Sequence, residues 1–242
     1  MLQEEHGLDI RSIGIGPGGE NLVKFACVVT DDLRTPGGCG AGCVMGSKNL
    51  KVIAVRGTKT IPVADPDKVF KIEKEALAAI KTRIAYPTFH QYGTTTLIAT
   101  MGSGGSMAVR NFQYQSESPT YGPEQWNLLK HDHITESYPY KWISCFGCPL
   151  RCSAWVDLDE RYGKYACKSG RPEGGSLLCG TITEVSNYAA LVSWNELCDQ
   201  YGLGTFETNA AIAGAMEWYE KGIIDEKFTD GVSMRWGNGE GM

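Results

Sequence analysis

Cys145-Phe-Gly-Cys148-Pro-Leu-Arg-Cys152 sets three thiols within eight residues, at C-x2-C-x3-C spacing. Loops this short let the sulfurs converge on one soft metal centre, and Gly147 eases the bend between the first two. Thiolates are the usual ligands of iron–sulfur clusters and of structural zinc. Zinc sites usually supply paired halves, C-x2-C or C-x2-C with H-x3-5-H, and the sequence shows no second half. A three-plus-one arrangement, with a distant fourth cysteine, suits a [4Fe–4S] cluster better. The alternative is three buried structural cysteines, since the thiol packs as a small hydrophobe.

Composition narrows the classes. At 242 residues and 42% hydrophobic, the chain can form one large domain or two smaller ones. A net charge of −5, with no basic run, argues against a nucleic-acid surface. The cysteine count of nine is odd and clustered, which points to metal and a reduced compartment rather than to disulfides. Met1 to His6 has neither the basic start nor the apolar run of a signal peptide. No apolar segment approaches a membrane span. The expectation is a soluble, cytoplasmic chain.

In order, Asp9 to Ile15 reads as a strand, Gly16 to Gly19 as a turn, and Asn21 to Thr30 as a second strand. Arg34-Thr-Pro-Gly-Gly-Cys-Gly-Ala-Gly-Cys43 holds four glycines in ten residues. Such a loop exposes backbone N–H groups to phosphate, with Arg34 and Lys48 adding charge; an ordinary glycine-rich loop is the equal alternative. It matches neither G-x-G-x-x-G nor the Walker ending. Lys51 to Arg56 is a third strand. A boundary near residues 57 to 65 divides the chain into 1–57 and 58–242.

Asp65-Pro66 starts a helix, as N-cap and first helical residue. Its stripe Val69, Ile72, Ala76, Ala79 and Ile80 is expected to face a core. A shorter helix spans Thr94 to Met101. Residues 106 to 140 read as loop-rich, with His131 and His133 exposed and without a metal role. Trp155 to Leu158 reads as a strand and Glu160 to Lys168 as a polar turn. In the loop Gly170 to Ser176, Glu173 is either a solvated residue or, if partly desolvated, a proton-transfer group at a pocket edge.

Two helices follow. The first presents Val185, Tyr188, Ala189, Val192, Glu196 and Tyr201 and ends at Gly202. Asp199 lies in its last turn, against the macrodipole, where it can accept hydrogen bonds from a planar, N–H2-bearing ring. The second runs from Phe206 to Lys221, capped by Gly222. The predicted fold class is α+β: a β-rich N-terminal piece followed by a mainly α-helical domain.

Several runs together resemble the aldehyde ferredoxin oxidoreductase family. They are Gly16-Pro-Gly-Gly-Glu-Asn-Leu-Val-Lys-Phe-Ala26, Val44-Met-Gly-Ser-Lys-Asn-Leu-Lys51, the claw, Arg171-Pro-Glu173, Asn195-Glu-Leu-Cys-Asp-Gln-Tyr-Gly-Leu203 and Tyr219-Glu-Lys-Gly-Ile-Ile-Asp225. The resemblance extends over essentially the whole chain. It implies a tungsten or molybdenum bis-pterin beside one [4Fe–4S] cluster, aldehyde oxidation to carboxylic acids, ferredoxin or another electron-transfer protein as partner, and a homodimer. By motif, Cys145, Cys148 and Cys152 would be cluster ligands. Asp199, Gly202 and Leu203 match the pterin-binding D-x-x-G-L motif. Arg34, Thr35 and Gly37 lie where the family cradles pterin phosphates, with magnesium as a further expectation there. Glu173 matches a glutamate near the metal and becomes the catalytic candidate.

Two departures stand out. Gly38 replaces an expected arginine, and Pro172-Glu-Gly-Gly replaces Pro-Glu-x-Glu. The missing carboxylate keeps a rival within the family, the benzoyl-CoA reductase type, which takes an aromatic acyl substrate. The resemblance also implies an internal fragment, with residues 1–57 as half of a β-rich pterin-binding domain and the fourth cluster cysteine beyond Met242. An isolated iron–sulfur electron-transfer module and a zinc-stabilised interaction domain are the readings from other classes.

Overall fold

A computed structural model describes residues 7, 9–31, 34–145, 147–169 and 174–242. Strand β1 (Arg11–Gly14) lies between β2 (Val29–Thr30) and β3 (Val52–Val55) in an antiparallel sheet. The register sets Ile13 opposite Thr30 and, on the other side, opposite Ile53. Gly16 to Gly19, expected as a turn, instead leads into a short helix, α1 (Pro17–Glu20), with proline at its first position. It packs on α2 (Ala41–Ser47) so closely that a Cβ on Gly46 would overlap the Gly19 carbonyl.

The strand expected over Asn21 to Thr30 shrinks to its last two residues. Leu22 takes a left-handed φ of 57°, which breaks an extended run. Ala26, Cys27 and Val28 are buried, but against a helix end rather than a sheet neighbour: Ala26 bridges Leu203 and the Cys27 N–H donates to the Gly202 carbonyl at 2.8 Å.

Helix α3 (Pro66–Lys81) forms as expected, with the Asp65 carboxylate accepting from the Lys68 N–H. Its burial does not follow: no residue of α3 is buried, and Val69, Phe70 and Ile72 are more than half exposed. Periodicity reports an amphipathic face, not what covers it. Helix α4 (Tyr86–Tyr92), a 3-10 turn (Gly93–Thr95) and α5 (Thr96–Ser103) come next. The segment read as loop-rich holds strands β4 (Ala108–Val109) and β5 (Tyr114–Gln115) and helices α6 (Pro123–Trp126) and α7 (His131–Ser137). His131 is not exposed as expected. Its ring centroid lies 3.6 Å from that of Tyr92, its Nε2 sits 2.9 Å from Asp132, and desolvation moves its pKa down.

A second antiparallel sheet orders β6 (Tyr140–Ile143), β7 (Ser153–Leu158) and β8 (Cys167–Ser169). The expected turn at Glu160 to Lys168 is a 3-10 segment (Glu160–Tyr165) that hands over to β8. Buried residues alternate along β7, and Ala154, Val156 and Leu158 face a core shared with Ile98, Leu177 and Tyr188. Helix α8 (Gly174–Thr183) takes in the last three residues of the stretch expected as a loop to Ser176, and it is almost wholly buried. Helix α9 (Tyr188–Tyr201) packs beside it, and α10 (Thr205–Glu220) runs across both. The architecture is α+β, with strands concentrated early and long helices late.

Candidate cofactor and cluster site

The end of α9 builds the polar centre. Gly202, at φ 66° and ψ 47°, closes the helix in the left-handed conformation that glycine adopts without a steric penalty. One turn earlier, Asn195 and Asp199 share a face. The Asn195 Oδ1 accepts from the Ser176 hydroxyl at 2.7 Å, and its Nδ2 donates to Asp199 at 3.2 Å. Burial, reinforced by the Glu196 charge, pushes the Asp199 carboxyl up to about 7. Near neutral pH this group can therefore donate or accept a hydrogen bond.

Asp199 opens onto a cavity of about 390 Å³. Arg34, Thr35, Gly37 and Gly38 form one wall, Ser176 and Asn195 another, and Gly204 to Glu207 a third. The fold thus gathers Arg34, Thr35, Gly37 and Asp199 around one space. Gly202 and Leu203 sit behind it. A Cβ on Gly202 would lie 2.7 Å from the Gly16 nitrogen, and Leu203 is bridged to Ala26. Their positions serve to clip α9 to the N-terminal segment. Ser176 and Glu207 have no motif to mark them, and Asn195, though it opens the run to Leu203, has no role assigned by sequence; only the register of three helices makes them lining residues.

The glycines of the loop divide by role. Gly40 and Gly42 would drive a Cβ into the Lys24 and Cys27 carbonyls, so they serve close packing. A Cβ on Gly37 or Gly38 would meet nothing nearer than 3.7 Å. Their backbone is therefore open to the cavity, as an anion cradle requires.

The claw is the connection between β6 and β7. Pairing of Ile143 with Ser153 brings its two ends together. Gly147, at φ 68°, turns the chain, and the Cys148 N–H donates to the Cys145 carbonyl at 3.0 Å. The His90 Nδ1 sits 2.8 Å from the Pro149 carbonyl, while Arg151 donates to the His90 carbonyl at 3.1 Å. Thr94 donates its hydroxyl to the Cys152 carbonyl at 3.1 Å and accepts from the Gly174 N–H at 2.9 Å. These braces were not legible in the sequence, because each partner lies far along the chain.

Arg34 joins the two halves. Its Nη2 lies 3.6 Å from the Cys145 sulfur, 4.0 Å from that of Cys152 and 3.3 Å from the Ser153 hydroxyl. Among the described residues, no three His, Cys, Asp or Glu side chains are gathered to metal-holding distance. The donor set nevertheless fits a thiolate-ligated cluster: three cysteines on one tight loop, with a guanidinium beside them to offset negative charge. The open cavity with glycine backbone at one side and an amphoteric carboxyl at the other fits a planar, phosphate-bearing cofactor. Glu173, with Arg171 and Pro172, lies outside the described residues.

Of the other thiols, Cys27, Cys179 and Cys198 are buried as core atoms, whereas Cys39 is exposed and Cys43 and Cys167 are half-buried. Burial raises Cys27 to about 11 and Cys198 to about 12, and moves Cys179 higher still. Cys179 and Cys198 pack with Trp194.

Residues 1–57 match the profile described as aldehyde ferredoxin oxidoreductase, N-terminal domain, and residues 71–242 that described as aldehyde ferredoxin oxidoreductase, domains 2 & 3. The tungsten-containing aldehyde ferredoxin oxidoreductase of Pyrococcus furiosus is 36% identical, over 99% of this chain and 38% of that protein. Its counterpart in Thermococcus kodakarensis is 35% identical, over 93% and 36%. The WOR-like subunit of an aliphatic sulfonate oxidoreductase from Pyrococcus furiosus is 29% identical, over 93% and 35%. The chain thus spans under two fifths of the length of these relatives. Among solved structures, the active-site complex of benzoyl coenzyme A reductase with 1,5-dienoyl-CoA shares the fold, at TM-score 0.72 and 22% identity, over 93% of this chain and 34% of that one. With both profiles matched in chain order, and the second over most of the residues, the chain belongs to the aldehyde ferredoxin oxidoreductase family.

Proposed function

We propose that this chain provides the cofactor and cluster face of an oxidoreductase that converts aldehydes to carboxylic acids, with ferredoxin as electron acceptor. The observation that carries this reading is Arg34, one side chain that lines the cofactor cavity and reaches two claw sulfurs. A tungsten- or molybdenum-bis-pterin supplies two-electron chemistry when bound, and a [4Fe–4S] cluster takes the electrons singly. In the balance, aldehyde and water give acid, two protons and two electrons.

The chain's own residues bind and orient. Gly37 and Gly38 offer backbone to phosphates, with Thr35 and Arg34 beside them and magnesium as a counter-ion. Asp199 holds the ring's N–H groups, braced by Asn195. Cys145, Cys148 and Cys152 hold three irons' worth of thiolate, the fourth ligand coming from elsewhere. Glu173 is the group we assign to proton transfer. A cytoplasmic setting and a homodimer belong to the same reading. No helix among the described residues is long and apolar enough to cross a membrane.

The test is elemental analysis of the anaerobically purified full-length protein and its Cys148→Ser variant. About four irons and one tungsten or molybdenum, with iron reduced in the variant, are expected. Iron and sulfide without pterin metal would leave an electron-transfer module, and zinc alone would sink the reading. The Pro172-Glu-Gly-Gly departure favours assaying aromatic-ring reduction of an acyl-CoA beside aldehyde oxidation.

A further inference from the structure

The claw lies against the end of α4, and one side chain there meets it twice. The His90 Nδ1 stands 2.8 Å from the Pro149 carbonyl. A carbonyl oxygen only accepts, so Nδ1 carries the ring proton and Nε2 is left as an acceptor. Arg151 Nη2 donates to it at 3.3 Å, and donates to the His90 carbonyl at 3.1 Å. The ring is thus a two-sided clip, donor to one residue of the claw and acceptor from another. Its orientation is fixed by Tyr86, one helical turn earlier, whose ring stacks on it with centroids 5.2 Å apart and planes at 18°.

Arg151 depends on this clip for its position. Among the described residues, the hydrogen bonds of its guanidinium go to His90, and its Nε is buried without a partner. A guanidinium is permanently charged in proteins, and this one belongs to the residue just before Cys152. The backbone contact beside it is close. A Cβ on Gly93, at φ 60°, would lie 2.9 Å from the Cys152 carbonyl and 3.1 Å from that of Arg151. The half of the claw from Pro149 to Cys152 therefore has no room to move toward α4, and His90 stops it from lifting away. Partners that orient ligands without touching the metal are worth about 10–100-fold in metal affinity. Cluster potentials respond to the charge around them.

We propose that His90 is a positioning residue for the claw: its Nδ1–H holds the ligand loop through Pro149, and its Nε2 fixes the Arg151 charge beside the cluster, raising the cluster's reduction potential. A fixed positive charge favours the reduced, more negative cluster. The proposal rests on the reading of the claw as a cluster site. Its test uses anaerobically purified full-length protein, with a redox titration of the cluster followed by electron paramagnetic resonance and a competition for iron against a chelator. Arg151→Gln and His90→Leu each move the midpoint potential to more negative values. Adding His90→Leu to Arg151→Gln moves it no further, since the histidine acts on the potential through the arginine. His90→Leu also holds iron about 10–100-fold less tightly. His90→Gln, whose amide offers both a donor and an acceptor, keeps the wild-type potential and retention. A wild-type potential in His90→Leu, the same shift with or without Arg151, or His90→Gln behaving as His90→Leu overturns the proposal. Where His90→Leu purifies without iron, His90→Gln decides: iron held at the wild-type potential supports the clip, and iron lost overturns it. Zinc in the wild-type claw sinks the cluster reading instead, and the clip survives only if His90→Leu, and not His90→Gln, sheds that zinc more readily.

Discussion

Asp199 is the residue where motif, burial and electrostatics meet. A carboxyl held at about 7 instead of its ordinary 3.8 keeps its proton in the folded state when the unfolded chain has released it. The associated stability is complete below pH 3.8 and is lost as pH rises through 7. At about 1.4 kcal/mol per pH unit, roughly 4 kcal/mol is the upper bound of this dependence. Asp199→Asn in the cofactor-free full-length protein should flatten it. Urea unfolding at pH 5 and pH 8 measures the change: wild type loses stability over the interval, the variant much less. The position of Asp199 was legible because a carboxylate in the last turn of a helix runs against local preference. Asn195 opens a run that the sequence marks, but its bond to Ser176, nineteen residues earlier, was not legible because the two meet only when α8 packs on α9.

Among the elements, α10 and the C-terminal end of α9 were legible almost to the residue, since each carries helical periodicity and a glycine stop; Val185, expected on α9, precedes its start at Tyr188. Gly202→Ala tests how much that stop contributes. The left-handed backbone costs a side chain about 1–2 kcal/mol, and the new Cβ would press on the Gly16 nitrogen at 2.7 Å. Denaturant titration should show a loss of at least about 1–2 kcal/mol. Strands β6 and β8 escaped notice, because four and three residues beside aromatics and a turn resemble loop. The opposite error fell at Asn21 to Thr30. Its apolar residues are buried, but their partners are the Gly202–Leu203 backbone, and burial by itself does not choose between strand and packed loop. Helix α8 was missed for a related reason: hydrophobic on nearly every side, it has no periodicity to read.

At the scale of the whole molecule, the apolar surface of α3 and its flanks is the outlying feature. Val69, Phe70 and Ile72 are exposed, as are Ile61 and Ile84 on either side. Exposed apolar side chains in such number favour association in water. The 242-residue chain should self-associate and bind a hydrophobic dye, and Val69→Glu with Ile72→Glu should reduce both. Light scattering and dye fluorescence measure this, with an unchanged melting temperature as the control, since none of these side chains is buried. The cysteine claw, the α9 terminus with Asp199, the N-cap at Asp65 and the α+β class were determined by the sequence alone. Each depends on residues within a few positions of one another, where spacing and backbone preference dictate the outcome. Only the tertiary structure decided that Arg34 reaches the claw from more than a hundred residues away, that His90 meets both Pro149 and Arg151, and that the stripe of α3 faces outward. Those outcomes depend on which surfaces meet, and that is settled by packing of the whole chain rather than by any local pattern.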